Sequence, residues 1–393
     1  MNSIPARILV VDDNEMNRDM LSRRLIKQGY EVFTADGGRQ AYELIEKEEL
    51  DLVLLDIMMP GIDGFEVLQN IRETSSPAEL PVIMATAMDE GADVVKALDM
   101  GANDYVTKPF DYPVVKARVA TQVQLKRTHE ELKSSHTRMA NDLAAAARIQ
   151  GSLLPRNEPA VDNYRFAWRY RPCDELAGDA LNVHRLENGQ VMFYLIDVCG
   201  HGVPAALLSV SVVHSLHPAP NPSSLVWQPR SDGSGYDLES PGQVARRLND
   251  LYPIMDNGGL YFTMIYGLLD PDTRSLRMVT AGHPQPAMIR GDGTSDLFGN
   301  PNSPIGVTGD PDFEETEIQF PQGDRILFYS DGLTEVFDPE EEEFGDDRLV
   351  EALRESRSVP LNEWLDGLTD LVLAWSGGEK FEDDLSLLAI EAE

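Results

Sequence analysis

Four apolar runs near the start of the chain each end on a polar residue, and that spacing leaves few folds open. Arg7-Ile-Leu-Val-Val leads to Asp12 and Asp13, Asp51-Leu-Val-Leu-Leu to Asp56, Pro81-Val-Ile-Met-Ala to Thr86, and Asp104-Tyr-Val-Thr to Lys108-Pro109. Continuous aliphatic runs separated by helix-length polar stretches predict parallel strands covered on both faces. In open parallel sheets ligands bind beyond the carboxyl ends of the strands. Asp12, Asp13, Asp56, Thr86 and Lys108 all fall at those ends, so one site is expected to gather them.

A length of 393 residues exceeds one ordinary domain, and each part is long enough to bury a core of its own. No stretch approaches the roughly 18 apolar residues of a membrane helix. The opening residues lead straight into the first strand without the pattern of a signal peptide. The two cysteines, Cys173 and Cys199, argue against a disulfide framework, are too few for a zinc site and fit a reducing cytoplasm. A net charge of -34 disfavours nonspecific binding to nucleic acid or anionic lipid, and no basic segment suited to reading DNA is present. The expectation is a cytoplasmic protein that engages neither nucleic acid nor membrane; protein partners remain open.

From Val114 to Gln150 the chain holds neither glycine nor proline, which predicts one continuous helix. Leu125, Leu132, Met139 and Ala146 recur every seven residues, with Leu143 between, as in a short coiled-coil seam. His129 and His136 occupy intervening seam positions as tolerated polar residues. The pattern suits a parallel dimer, and it also fits a monomeric helix packed on its own domain.

Beyond this helix, strand patterns at 190–196, 264–269, 276–280, 325–329 and 386–390 alternate with helix patterns at 205–210 and 361–375. Runs of strands with separated helices favour an α/β sandwich over a doubly wound sheet. The span from Pro218 to Gly242, rich in Pro, Ser and Gly, predicts an irregular loop. Asp179, Asp197, Asp331 and Asp383 each sit at the end of an apolar run or in a tight turn beside one. Carboxylates gathered from distant strand ends are what hard cations such as Mg²⁺ and Mn²⁺ require.

The first ~120 residues resemble a response-regulator receiver of the CheY type. The likeness rests on Val-Asp-Asp at 11–13, Leu-Asp-Ile-Met-Met-Pro-Gly-Ile-Asp-Gly at 55–64, Ala-Thr-Ala at 85–87 and Lys-Pro-Phe at 108–110. It implies a (βα)5 doubly wound fold in which Asp56 accepts a phosphoryl group from a sensor histidine kinase or phosphotransfer protein. It further implies Mg²⁺ held by Asp13, Asp56 and the Met58 carbonyl, with Asp12 assisting through water. Lys108 and Thr86 would contact the phosphoryl oxygens, and Tyr105 would be the aromatic that swings inward. The chemistry agrees, because clustered acids repel an incoming phosphoryl group unless cations balance them.

The remainder resembles the RsbU/SpoIIE-like branch of PPM-type serine/threonine phosphatases. The matching segments are Ala-Arg-Ile-Gln-Gly-Ser-Leu-Leu-Pro at 147–155, Ala-Gly-Asp at 177–179, Asp-Val-Cys-Gly-His-Gly-Val-Pro-Ala-Ala at 197–206, Ala-Gly-His-Pro at 281–284, Pro-Ile-Gly at 304–306, Ser-Asp-Gly-Leu-Thr-Glu at 330–335 and Asp-Asp-Leu-Ser at 383–386. The resemblance implies two Mn²⁺ or Mg²⁺ ions bridged by Asp197. Asp179, Asp331 and Asp383 would complete one shell, and the Val198 carbonyl would serve the other ion. Asn182, Gly200, His201, Gly332 and Asp384 are expected to support these ligands, and His201 and His283 read as structural residues of glycine turns. Two positions depart from the family: Ala177 replaces a glycine, and Asn182 stands where a second aspartate is common. Asn182 keeps an oxygen but loses a charge, which is expected to bear on metal affinity or ligand orientation.

Together these readings give three parts: a receiver at 1–122, a helical coiled-coil linker with a switch segment at 123–155, and a phosphatase domain at 156–393. The function implied is a two-component response regulator whose phosphorylation controls dephosphorylation of a protein, by resemblance a STAS-type anti-sigma-factor antagonist. The alternative is a pseudophosphatase that acts as a receiver-gated adaptor for a sigma-factor regulator.

Overall fold

The computed structural model describes residues 5–87, 91–355, 359–378 and 381–393. The chain divides into two compact units, Met1–Ala140 and Asn141–Glu393.

In the first unit β1 (Arg7–Val11), α1 (Glu15–Ile26), β2 (Glu31–Ala35), α2 (Gly38–Lys47), β3 (Leu52–Asp56), α3 (Gly64–Thr74), β4 (Val82–Ala87), α4 (Gly91–Asp99) and β5 (Asp104–Lys108) alternate as expected. The strands form one parallel sheet in the order β2-β1-β3-β4-β5. Side chains alternate between its faces. Leu9, Val11, Val53 and Leu55 pack with α2 and α3, while Ile8, Val10, Leu52 and Leu54 pack with Leu21 and Leu25 of α1. The order of connections reverses between β1 and β3, which opens a crevice beyond their carboxyl ends. Asp12 and Asp13 follow β1 there, and Asp56 closes β3.

The helix α5 (Tyr112–Gly151) is uninterrupted over 40 residues. Val115, Val119 and Val123 of its first part join the sheet's core. Lys126 donates from Nζ to the Leu50 carbonyl at 2.8 Å and pairs with Asp51 at 3.1 Å. Farther along, Leu125, Leu132 and Met139 are 58%, 58% and 62% exposed, so the seven-residue stripe is uncovered in the single chain.

The second unit runs β6 (Tyr164–Arg171), β7 (Ala180–Arg185), β8 (Val191–Val198), α6 (Val203–Ser215), β9 (Trp227–Pro229), β10 (Tyr236–Leu238), α7 (Pro241–Leu251), β11 (Phe262–Asp270) and β12 (Ser275–Ala281). It continues with β13 (Ala287–Ile289), β14 (Ser295–Leu297), β15 (Pro301–Asn302), β16 (Thr316–Gln319), β17 (Arg325–Tyr329), α8 (Gly345–Glu355), α9 (Leu361–Trp375) and β18 (Leu385–Ala392). One sheet has the order β15-β12-β11-β8-β7, with β16 also on β12, and the other β14-β13-β17-β18-β6. In β8, Val191, Phe193 and Leu195 face the second sheet and meet Phe328 and Leu388. Met192, Tyr194 and Ile196 face the other way, onto α6 and α7. Trp364, Leu365 and Leu368 of α9 and Leu349 of α8 cover the second sheet's outer face. The result is the expected sandwich of two sheets between helix layers.

The span from Pro218 to Gly242 is more ordered than its composition suggests. Trp227 and Tyr236 belong to an antiparallel hairpin of β9 and β10, and α7 begins at Pro241. Val226 and Trp227 are buried, with Trp227 Nε1 donating to the Pro218 carbonyl at 2.9 Å. Two apolar anchors suffice to fold this segment onto the core, although its polar turn dominates the composition.

Candidate functional site

The receiver crevice brings the expected residues together. Asp12 and Asp56 are buried and Asp13 is exposed, with one oxygen of each within 4.8 Å of the others. Lys108 Nζ lies 2.8 Å from Asp12 Oδ2 and 2.6 Å from Asp56 Oδ2. Burial pushes the Asp56 carboxyl above its ordinary range, an effect that Lys108 offsets and Asp12 reinforces. Burial would lower Lys108, but contact with the two carboxylates outweighs it and holds the ammonium above its usual value. The Met58 amide donates to Asp56 Oδ1 at 3.3 Å. Thr86 is buried at the end of β4, and Tyr105 is half-buried with the Arg118 guanidinium 5.1 Å from its ring centre. Three carboxylates face one lysine, and the donors are all oxygen, so the site fits a hard divalent cation.

A cleft of about 450 Å³ opens at one end of the sandwich, lined among others by Asp197, Val198, Gly200, His201, Asp331 and Asp383. Strand parity places the first of these. Asp197 continues the series 191, 193, 195 and so looks between the sheets, at the point where β8 ends. Asp331 opens a 3-10 turn just after β17, and Asp383 lies just before β18, the neighbouring antiparallel strand. Two glycines allow the loops to close on one another. A Cβ on Gly332 would overlap the Asp384 carbonyl oxygen, and one on Gly178 would stand 2.8 Å from the Val198 carbonyl oxygen. Asp384 is a bolt between loops: its carboxylate accepts from the Gly178 amide at 2.7 Å and the Cys173 amide at 2.9 Å. Asp179 is buried outside the cleft lining, and its Oδ2 has no hydrogen-bond partner among the described residues.

These acids are short of positive charge. Burial, with Asp331 and Asp383 nearby, pushes Asp197 up to about 7. Burial and Asp383 push Asp331 up to about 6, and burial raises Asp383 itself. Asp179 lies well above the usual range through burial and the proximity of Asp197. Among the described residues neither lysine nor arginine lines the cleft. A mutually repelling set of half-buried and exposed carboxylates, beside the buried orphan oxygen of Asp179, fits divalent cations.

The Stage II sporulation protein E (SpoIIE) family profile matches residues 187–393. The chain belongs to the SpoIIE family. The response regulator receiver domain profile matches residues 8–120, so the chain joins a receiver domain to a SpoIIE-family domain. The response regulator PleD of Caulobacter vibrioides is 40% identical over 149 residues, 37% of this chain and 33% of that protein. The chain thus spans about a third of the length of the curated relatives it matches. The SiaA-PP2C domain of Pseudomonas aeruginosa superposes with a TM-score of 0.53 at 18% identity, over 66% of this chain and 99% of that domain. At that identity the likeness shows the fold. No helix among the described residues is long and apolar enough to cross a membrane.

Three further residues bear on the cleft. Thr263 lies opposite Asp197 in the pairing of β11 with β8. Its hydroxyl donates to Asp197 Oδ2 at 3.4 Å and lies 2.7 Å from His283 Nδ1. A hydroxyl has one proton to give, so donation to Asp197 requires His283 to donate from Nδ1. Burial holds that imidazole down at about 3, hence neutral. His283 therefore does more than shape its turn. Thr263→Val is expected to weaken Mn²⁺ binding measured by calorimetry by about 10–100-fold, while Thr263→Ser keeps it; equal affinities would remove Thr263 from the site.

The third residue, Gln150, is buried near the end of α5 and grips Ala177 twice: Nε2 donates to its carbonyl at 2.7 Å, and its amide donates back to Oε1 at 3.2 Å. Ala177 is two residues from Asp179. Asn182, in contrast, stands apart from the aspartates. It pairs with Tyr194 in β7–β8 and so shares the parity of the helix-facing side, opposite to Asp197. Its Nδ2 donates to the Leu153 carbonyl at 2.5 Å, a bond an aspartate could not make when ionised. The missing charge at this position thus serves the segment after α5.

Proposed function

We propose that phosphorylation of Asp56 controls hydrolysis of a phosphoserine or phosphothreonine protein in the aspartate cleft, and that the substrate is a phosphorylated STAS-type anti-sigma-factor antagonist. The observation that carries this reading is the convergence of Asp197, Asp331 and Asp383 in a SpoIIE-family domain, beside an orphan Asp179 oxygen. The working division is a receiver at 1–122, a coupling helix and switch at 123–155, and a phosphatase domain at 156–393.

In the receiver, a sensor histidine kinase or phosphotransfer protein presents phosphohistidine. An Asp56 oxygen attacks phosphorus, the P–N bond breaks, and an acyl phosphate forms. Asp13, Asp56 and the Met58 carbonyl would hold Mg²⁺, with Asp12 acting through water. Lys108, already against Asp56, is placed to pair with a phosphoryl oxygen, Thr86 to donate to one, and Tyr105 to turn inward.

In the phosphatase domain Asp197 would hold both Mn²⁺ or Mg²⁺ ions, Asp179, Asp331 and Asp383 would complete one shell, and the Val198 carbonyl would serve the other. When bound, the ions supply an acidified water and offset charge on the phosphoryl oxygens. Thr263 and His283 fix the Asp197 carboxylate, and Asp384 keeps the Gly178 and Cys173 loops in place. A homodimer through the exposed stripe of α5 and a cytoplasmic location belong to the same proposal.

With Mn²⁺ the purified protein is expected to release phosphate from a phosphorylated STAS protein, and EDTA to stop it. Acetyl phosphate should change the wild-type rate and leave that of Asp56→Asn untouched. Equal responses in the two proteins would remove the receiver from control. Capture of the STAS protein with no phosphate release, unaltered by Asp197→Ala, would replace the enzyme by an adaptor.

A further inference from the structure

A second cavity, of about 490 Å³, lies wholly within the phosphatase unit and shares no lining residue with the aspartate cleft. Its walls are the segment at 152–157 that follows α5, the strand β7 at Asn182 to His184, Tyr194, and the end of α6 with the turn after it. Charge sets this cavity apart. The chain has 67 acidic residues and a net charge of -34, yet among the described residues no aspartate or glutamate lines it. Arg156, His184, His214 and His217 do, which brings three of the chain's seven histidines to one place.

The donors are free to act. Arg156 is exposed and makes no ion pair among the described residues. His217 Nδ1 accepts from the Ala219 amide at 3.2 Å, so the neutral ring carries its hydrogen on Nε2 as a remaining donor. His184 is half-buried, and burial together with His217 holds its imidazole below the ordinary range. An anion between the rings would relieve that mutual opposition. The rest of the lining is mostly aliphatic, including Leu154 and Val213, with the Tyr194 ring. A concave, largely apolar site of a few hundred Å³ with a few convergent polar groups is the usual form of a small-molecule pocket.

We propose that this cavity binds a small amphipathic anion, its ring-sized apolar body against Leu154 and Val213 and its carboxylate or phosphate head held by Arg156 and the histidines. Planar guanidinium and imidazole N–H donors suit either head. Occupancy would also steady the segment after α5 against β7, because the cavity wall contains both partners of the bond from Asn182 to Leu153. The claim of binding does not depend on the catalytic reading of the aspartate cleft.

Calorimetry on the 393-residue chain without metal tests it, with 1-naphthoate for the carboxylate head, naphthalene-1-sulfonate as an unhydrolysable stand-in for a phosphate ester, and neutral 1-naphthamide as control. At least one anion is expected to bind tenfold or more tightly than the amide, and whichever head binds better names the natural class. Arg156→Glu should lower that affinity tenfold or more, and Arg156→Lys should restore most of it; Arg156 is exposed, so neither variant threatens the fold. Hydrogen exchange should slow at 152–157 and 182–184 on binding. The proposal is overturned if the neutral ligand binds as well as the anions, if no anion binds at millimolar concentration, if Arg156→Glu changes nothing, or if protection falls elsewhere.

Discussion

Asp197→Asn is expected to cut Mn²⁺-dependent phosphate release by about 10³-fold or more, and at the same time to leave the metal-free protein as stable as wild type or more so. The two effects share one cause. Asp197 is held up to about 7 by burial and by Asp331 and Asp383, so its ionised form opposes the metal-free fold at neutral pH. The amide removes that opposition and can still accept from Thr263. Ions bind the folded state only, so at a hundred times its dissociation constant Mn²⁺ should stabilise the wild type by about 2.7 kcal/mol. The variant should lose most of that gain. Melting curves with EDTA and with Mn²⁺ check both halves. If Asp197→Asn melts well below wild type in EDTA, the carboxylate is a structural partner and not a waiting ligand; an undiminished rate would end the enzyme reading.

The receiver was the most legible part of the chain, because its strands are buried on both faces and read as unbroken apolar runs. The exception is β2, where Glu31 and Thr34 interrupt the run: it is an edge strand, exposed or half-buried except at Ala35. The same limit hid β6, whose Tyr-Arg-Phe-Ala-Trp-Arg-Tyr-Arg alternates charge with aromatics although it pairs along its whole length with β18. Glycine-aspartate turns made the cleft visible, since Gly178 and Gly332 mark close approaches that only glycine permits. Thr263 had no such flag. One threonine in an apolar strand acquires meaning only when the register sets it opposite Asp197. Asn182 shows the converse, for the family resemblance set it beside the metal ligands, and strand parity turned it to the other face.

Leu132→Pro is expected to abolish the response of phosphatase rate to phosphorylation while Asp56 still accepts phosphoryl groups. One helix carries both the exposed seam and the Gln150 clamp. A receiver changes by small shifts on one face, so its signal needs an element with two discrete arrangements. The proposed helix pair, joined through Leu125, Leu132 and Met139, would be such an element. Proline at 132 removes a helix hydrogen bond and costs about 3 kcal/mol or more locally, which is enough to break a short seam. Gln150→Leu separates the seam from the clamp. It leaves the Ala177 amide and carbonyl buried without their partner, at a cost of about 1–3 kcal/mol, and frees the loop that carries Asp179. That variant should remain dimeric and phosphorylatable yet turn over slowly with or without acetyl phosphate, whereas Leu132→Pro should be monomeric and fixed at one rate. Light scattering alongside phosphate release distinguishes the two outcomes. A monomeric Leu132→Pro protein that still changes rate on phosphorylation would make the helix a tether, and the Gln150 contact a matter of stability alone.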